Sequence, residues 1–528
     1  MEGCLLTFPE AGHRKGWPSF SGPARTKAAK TSVKRKWAAL AAALCACAVL
    51  GGCASVTGET VRPAMTGRER IFEGWGTSLC WWANRIGYSD SLSQKAADLF
   101  FGPEGLCLNI MRYNIGGGDD PSHNHITRTD SDVPGWYSWD ETEGKYVFDP
   151  TADFRQLNVL ARCHAAAGSG AMVEAFSNSP PYYMTVSGCS SGNAIAGRDN
   201  LREDAVEDFA DYLCSAAAWL KNEMGLNVVS LSPMNEPDTA YWGALSPKQE
   251  GCHFDAGESQ SRLIAACGKK MEEYGLDGVI VAASDETDTG RQLDEYRSYT
   301  PEARAVIGRI NIHTYGTSRA ELLAKTCRED GMALWMSETD GGETFGKGAG
   351  EMGAGLWLGR KIISDFARLD PSAWVLWQVI DTHISRDGVG GRKDSGMPDV
   401  TGGYWGTATA DHDRGEIVLT QKYYVLGQFT RYIRPGMRVF ACGEDLLCAL
   451  GDGKIVLVAV NARGRKPLRV DLSAFGPVSG PVAAVRTSGS MKNGEHWQRL
   501  DPLEADGTGF DAVLAPSSVT TFVIEGSF

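Results

Sequence analysis

The chain has 528 residues, 43% of them hydrophobic and 22% charged, which excludes a disordered chain and suits a large barrel with a smaller second domain. Its formal net charge is −13, and its first 52 residues are basic, so the remainder is more acidic than the whole. That balance excludes nucleic acid and anionic lipid as partners held by charge, and points to a neutral or basic ligand.

Lys34, Arg35 and Lys36 precede the apolar run Trp37 to Leu50, and Gly51, Gly52 and Cys53 follow. A basic segment, an apolar segment and small residues before a cysteine read as an export signal. It resembles a bacterial lipobox, which implies cleavage before Cys53 and a lipid on its sulfur. The run is short for a membrane span. Residues 1–52 are thus read as a lipoprotein-type signal and 53–68 as a tether, for a protein exported to a bacterial surface or secreted. Ten cysteines follow Cys53 without a CxxC pair, so neither a zinc nor a redox site is expected. Export permits disulfides, and Cys442 with Cys448 and Cys189 with Cys252 are the pairs to test first.

From residue 69 short apolar runs alternate with helical patterns. Ile71 to Ser78 is a strand opening into a glycine turn, and 93–101 reads as a helix stopped by Gly102-Pro103. Strand two, 106–113, ends at Arg112 and the loop Gly116-Gly117-Gly118-Asp119-Asp120. A helix over 151–167 leads to strand three, 171–176, then to Asn178; a helix over 201–224 leads to strand four, 228–231. Strands five to eight are placed at 278–283, 309–313, 333–337 and 373–378. Eight such units predict a TIM barrel over 69–432, with its site at the carboxyl ends of the strands. After the last helix, near 421–432, the period falls to two over 454–461, 468–472, 482–487 and 517–525. That predicts a β-sandwich over 433–528, joined by strand residues near 56–72.

Strand four runs into LSPMNEPD, which delivers Asn235 and Glu236; strand seven runs into MALWMSETD, which delivers Glu338. Two strands that each end in a glutamate suggest the paired carboxylates of a glycosidase. Arg112 closes strand two, and His313 and Tyr315 close strand six beside the second glutamate. Trp82, Trp242 and Trp377 fall near strand ends, where an indole can pack the C–H face of a sugar; Trp75 and Trp405 share that placement. His123 and His125 lack an evident third ligand, so no metal or other cofactor is expected.

The motifs FEGWGTSLCWWA, LNIMRYNIGGG, SPMNEP, NIHTYG, WMSET, WVLWQ and KYYVLGQFTRYIRPG, in this order, resemble glycoside hydrolase family 30 of clan A. The opening GTSLCWWA is most similar to the β-1,6-galactanase subfamily. The resemblance implies a retaining hydrolase with Glu236 as acid/base and Glu338 as nucleophile. Asn235 would then bond the sugar 2-hydroxyl, and Arg112 would hold Glu338 ionised. Asp119, Asp120 and Asn178 are candidates for a galactose 4-hydroxyl, with arabinogalactan side chains as the implied substrate. A β-1,6-glucanase, a glucosylceramidase or β-xylosidase, and a non-catalytic carbohydrate-binding lipoprotein are the alternatives.

Overall fold

The structure, a computed structural model, describes residues 58–67, 69–341, 348, 350–395, 405–526 and 528; the segment read above as an export signal lies outside the described residues. Eight parallel strands close a barrel: β1 (Gly74–Ser78), β2 (Ile110–Asn114), β3 (Met172–Phe176), β4 (Val228–Ser232), β5 (Ile280–Asp288), β6 (Ile307–Gly316), β7 (Ala333–Glu338) and β8 (Ala373–Gln378). Each pairs in parallel with the next and β8 returns to β1, for instance Trp374 opposite Trp75. Strands β1, β2 and β8 are buried along their whole length, as a parallel sheet covered by helices requires.

Local chemistry sets the helix starts. Ser89 caps Asp90–Phe100 by accepting from the Leu92 N–H, and Asp288 caps Thr289–Ser298 through the N–H groups of Gly290 and Arg291. The helix Met352–Leu369 buries Leu358, Ile362, Ile363 and Phe366.

Strands five and six run longer than the apolar pattern alone suggests, to Asp288 and Gly316, because polar residues continue the ladder toward the site. Two small additions escaped the pattern: a hairpin of Tyr137–Asp140 and Lys145–Phe148, and a sheet built on Ile380–Ser385, Ala408–Asp411 and Glu416–Leu419. The hairpin is half-exposed, and these strands of the small sheet are only four to six residues long and mix polar with apolar residues, so neither carries a strong period-two signal.

Beyond the helix Gln421–Thr430, antiparallel strands form a seven-stranded sheet whose centre is Lys454–Asn461 against Ser518–Glu525. A three-stranded sheet faces it, made of Glu59–Val61, Lys466–Asp471 and Gly509–Leu514. Phe440, Leu457, Phe510 and Phe522 fill the space between them. The other face of the large sheet shares one apolar core with the barrel, where Val456, Val458 and Val460 join Phe366, Val425 and Phe429. Gly359 marks how closely the layers meet: a Cβ there would stand 2.9 Å from Val460 Cγ2. All ten cysteines of the described residues are free thiols, so neither expected disulfide is formed.

A chain ending at Tyr432 is therefore expected to be insoluble. Cutting there exposes a wall of apolar side chains worth about 1.5–3 kcal/mol each when buried, against a total stability of about 5–15 kcal/mol. Soluble expression of the truncated chain with wild-type melting behaviour would refute this.

Candidate active site

The glutamate after β4 sits in an uncommon backbone conformation. Glu236 has φ +51°, a left-handed value that a residue with a Cβ adopts at a cost. Its surroundings hold it there. The Glu236 N–H donates to the Asp285 carbonyl at 2.9 Å, and its own carbonyl accepts from Trp242 Nε1 at 3.0 Å and Thr239 Oγ1 at 2.8 Å. The side chain accepts from the Tyr241 hydroxyl, and His313 Nδ1 lies 3.2 Å from Oε1.

Glu338 ends β7 at a point where the register with β6 shifts, which turns its carboxylate into the barrel mouth. Arg112 Nη1 donates to Oε2 at 2.7 Å and Tyr315 donates to Oε1 at 3.0 Å. Arg112 Nη2 also donates to Asn235 Oδ1 at 2.9 Å, so one buried guanidinium positions residues of both β4 and β7. A carboxylate oxygen of Glu236, one of Glu338 and a His313 nitrogen all lie within 4.8 Å of one another.

Beneath this pair lies a buried layer of charge. Asp285, within β5, faces Arg112 Nη2 at 3.3 Å and His313 Nε2 at 3.5 Å, and accepts from Ser232 and Ser337. Burial pushes its carboxyl up, but Arg112, His313 and Ser232 outweigh burial and hold it well below the carboxylate range. Glu174, on β3, accepts from Asn311 and Ser230 and pairs with Arg309. Burial opposes the charge on His313, yet Glu338, Asp285 and Glu236 push its pKa up to about 10. Burial likewise raises the Glu338 carboxyl, against the pull of His313 and Arg112.

This triangle could be taken for a metal site, since three ligating residues converge. The donors argue otherwise. Both Glu338 oxygens already accept charged or phenolic donors, and a histidine with a pKa near 10 is an imidazolium with no free lone pair.

Above the pair opens a cleft of about 770 Å³. Its floor holds Asn235, Glu236 and Glu338, and its walls carry Trp242, Trp377, Trp405 and Tyr315, with Arg128 and Asp381 at the rim. Trp405 stacks on Tyr315 with ring centroids 5.7 Å apart, and Trp377 is backed edge-on by Trp81 at 5.9 Å. Aromatic walls around two carboxylates at the top of a parallel barrel suit a sugar ring.

The model of O-glycosyl hydrolase family 30 matches residues 59–305. An endo-β-1,6-galactanase of Hypocrea rufa is 28% identical over 86% of this chain and 92% of its own length. An exo-β-1,6-galactobiohydrolase of Bifidobacterium longum subsp. longum is 26% identical over 77% of this chain, which spans about a third (35%) of that larger protein. In fold, a subfamily 8 xylanase of glycoside hydrolase family 30 from Clostridium acetobutylicum superposes with a TM-score of 0.61 at 19% identity, over 88% of this chain and 99% of that one. Residues 59–305 are thus similar to glycoside hydrolase family 30, and the relatives matched over most of the chain are β-1,6-galactan-cleaving hydrolases by name.

Within this glycoside hydrolase the residues expected at the site divide clearly. Glu236, Glu338, Asn235, Arg112, His313 and Tyr315 meet at one point, and Trp242 and Trp377 line the cleft. Trp82 does not: it is fully buried, donates to the Ser78 carbonyl at 2.9 Å and packs edge-on to Phe100, so no face is open to a ligand. Trp75 is likewise core, donating to the Ile433 carbonyl. Asp119 and Asp120 do not line the cleft either. The first accepts from the Ser190 N–H at 2.9 Å and faces His123 and His125, and the second accepts from the Ser122 N–H at 2.8 Å within its own turn. Asn178 is buried beside Cys80, donating to Asn114 at 2.9 Å, and is not a wall of the cleft. Asp285, Glu174, Tyr241, Arg128 and Asp381 went unread; Asp285 had a signal, being one more carboxylate just past an apolar strand run.

The imidazolium gives a pH test. His313 titrates at about 6.5 when unfolded and near 10 when folded, so its stabilising contribution is complete below pH ~6.5 and is lost as the pH rises through about 10. His313→Gln is expected to flatten the fall of melting temperature across that window. A wild-type slope in the variant would remove His313 from the account.

Proposed function

We propose that this hydrolase cleaves β-1,6-linked galactan with retention of configuration, by a double displacement on Glu338 assisted by Glu236. The observation that carries the reading is the separation of the two carboxylates, within 4.8 Å at their nearest ligating oxygens. Retaining enzymes hold such groups ~5–5.5 Å apart, whereas inverting ones leave ~6.5–9.5 Å for a water between them.

In the first step Glu338 attacks the anomeric carbon while the bond to the leaving oxygen breaks, and Glu236 gives that oxygen its proton. In the second, a water attacks the same carbon, Glu236 takes the water's proton, and the Glu338 carboxylate departs. Arg112, His313 and Tyr315 direct positive charge and a hydroxyl at Glu338, which favours its ionised form at the start of each cycle. Asn235, fixed by Arg112, would bond the sugar 2-hydroxyl. Trp377 and Trp242 would pack the sugar faces.

The printed activities of the two relatives support galactan over glucan. With Asp119 and Asp120 outside the cleft, Arg128 and Asp381 become the candidates for the axial 4-hydroxyl. They pair at 3.3 Å on the rim of the cleft and are each about a quarter exposed. The lipobox-like segment supports export to a surface where polysaccharide is met from outside.

Digestion of β-1,6-galactan, β-1,6-glucan and aryl glycosides by the purified chain tests the substrate. Galactose oligomers from the first polymer are expected. Glucose oligomers with galactan untouched would overturn the substrate and leave the two-glutamate chemistry standing; no turnover on any of them would overturn both.

A further inference from the structure

A second convergence of ligating side chains lies outside the cleft. Asp119, His123 and His125 sit on the loop after β2, and Cys189 on the loop after β3, with one ligating atom of each within 4.8 Å of all the others. None of the four lines the cleft. We propose that Asp119, His123, His125 and Cys189 bind a zinc ion that clips these two loops together.

The spacing fits. A zinc ion with nitrogen and oxygen ligands at ~2.0–2.2 Å and sulfur at ~2.3 Å places neighbouring tetrahedral ligands about 3.3–3.6 Å apart. Here His123 Nδ1 and His125 Nδ1 lie 3.3 and 3.2 Å from Asp119 Oδ2, and Cys189 Sγ, 3.6 Å from the other ring nitrogen of His125, belongs to the set in which one ligating atom per residue lies within 4.8 Å of all the others.

The bonding around the cluster points the same way. His125 Nδ1 is buried and makes no hydrogen bond, although the Asp119 oxygen is near. The other Asp119 oxygen is fixed by the Ser190 N–H at 2.9 Å, which leaves Oδ2 to face the histidines. The buried Cys189 sulfur accepts the Leu245 N–H at 3.3 Å and lies 3.2 Å from Ser191 Oγ. Outer partners that fix a ligating side chain in this way are typical of metal sites. Cys252 does not compete for this sulfur, since its own thiol points to the His253 carbonyl at 3.5 Å.

Two nitrogens, a carboxylate and a thiolate suit zinc over calcium or magnesium, and four protein ligands describe a structural site rather than a catalytic one. Its third neighbour is the loop after β4. Leu245, bonded to Cys189, precedes Ser246 of the cleft wall and follows Tyr241 and Trp242. Zinc would thereby stiffen the wall of the substrate cleft without touching the reacting carboxylates.

The test uses the full chain, equilibrated with zinc, desalted and assayed for bound metal. One zinc per chain is expected for the wild type. His123→Ala, at a partly exposed position, and Cys189→Ser are each expected to weaken zinc binding at least ~10-fold in competition with a chelator. Chelation should lower the melting temperature of the wild type and leave His123→Ala unmoved. A wild-type chain that emerges without zinc, or variants that hold zinc as tightly, would overturn the proposal.

Discussion

Glu338→Ala is expected to abolish turnover, with a loss greater than ~10⁴-fold in kcat on every substrate. Acid–base assistance alone is worth ~10²–10⁴-fold, and this substitution removes the covalent path itself. It also leaves Arg112 and His313 facing each other across an emptied site, because Glu338 is the carboxylate to which Arg112 Nη1 donates at 2.7 Å. Added azide, small enough to enter the space and attack the anomeric carbon from the same side, should restore part of the rate. Its product should have inverted configuration. Near wild-type turnover in this variant, or no dependence on azide together with intact folding and residual retention, would remove Glu338 from the role of nucleophile.

Glu236→Ala should separate substrates by their leaving groups. Natural glycosidic linkages leave as poor alkoxides and need a proton, so a loss of roughly 10²–10⁴-fold is expected on them. Aryl glycosides with good leaving groups need little assistance in the first step, so their formation of the glycosyl-enzyme should fall far less. The accompanying structural cost is modest, since Glu236 is near the surface of the cleft and Tyr241 and His313 lose one partner each. Equal losses on both substrate types would argue against the acid/base role and in favour of a purely structural one.

Both glutamates were legible because each follows an apolar run that a parallel strand must have. Leu334, Trp335 and Met336 bury fully before Glu338, and Val228 to Ser232 do so, with one half-buried position, before Asn235. Strand β8 has the range its apolar run implies, 373–378, since nothing polar interrupts AWVLWQ. What the sequence hid was depth. Asp285 and Glu174 are carboxylates buried under the site and neutralised by Arg112 and Arg309, an arrangement with no local pattern. Trp81 and Trp82 are adjacent in sequence, yet one backs the cleft wall and the other packs into the core against Phe100; a helix start turns successive side chains apart. The loop cluster was hidden by distance, since Cys189 stands 64 residues from His125. Only the packing of neighbouring loops at the barrel mouth brings them together.

The stereochemistry of hydrolysis tests the central claim most directly. Proton NMR of the first products released from β-1,6-galactan, recorded before mutarotation, reads the anomeric configuration at the cleaved bond. Two displacements at one carbon, the outcome expected for carboxylates held within 4.8 Å, give the β-anomer first. The α-anomer appearing first would mean a single displacement by water and would contradict the covalent role of Glu338.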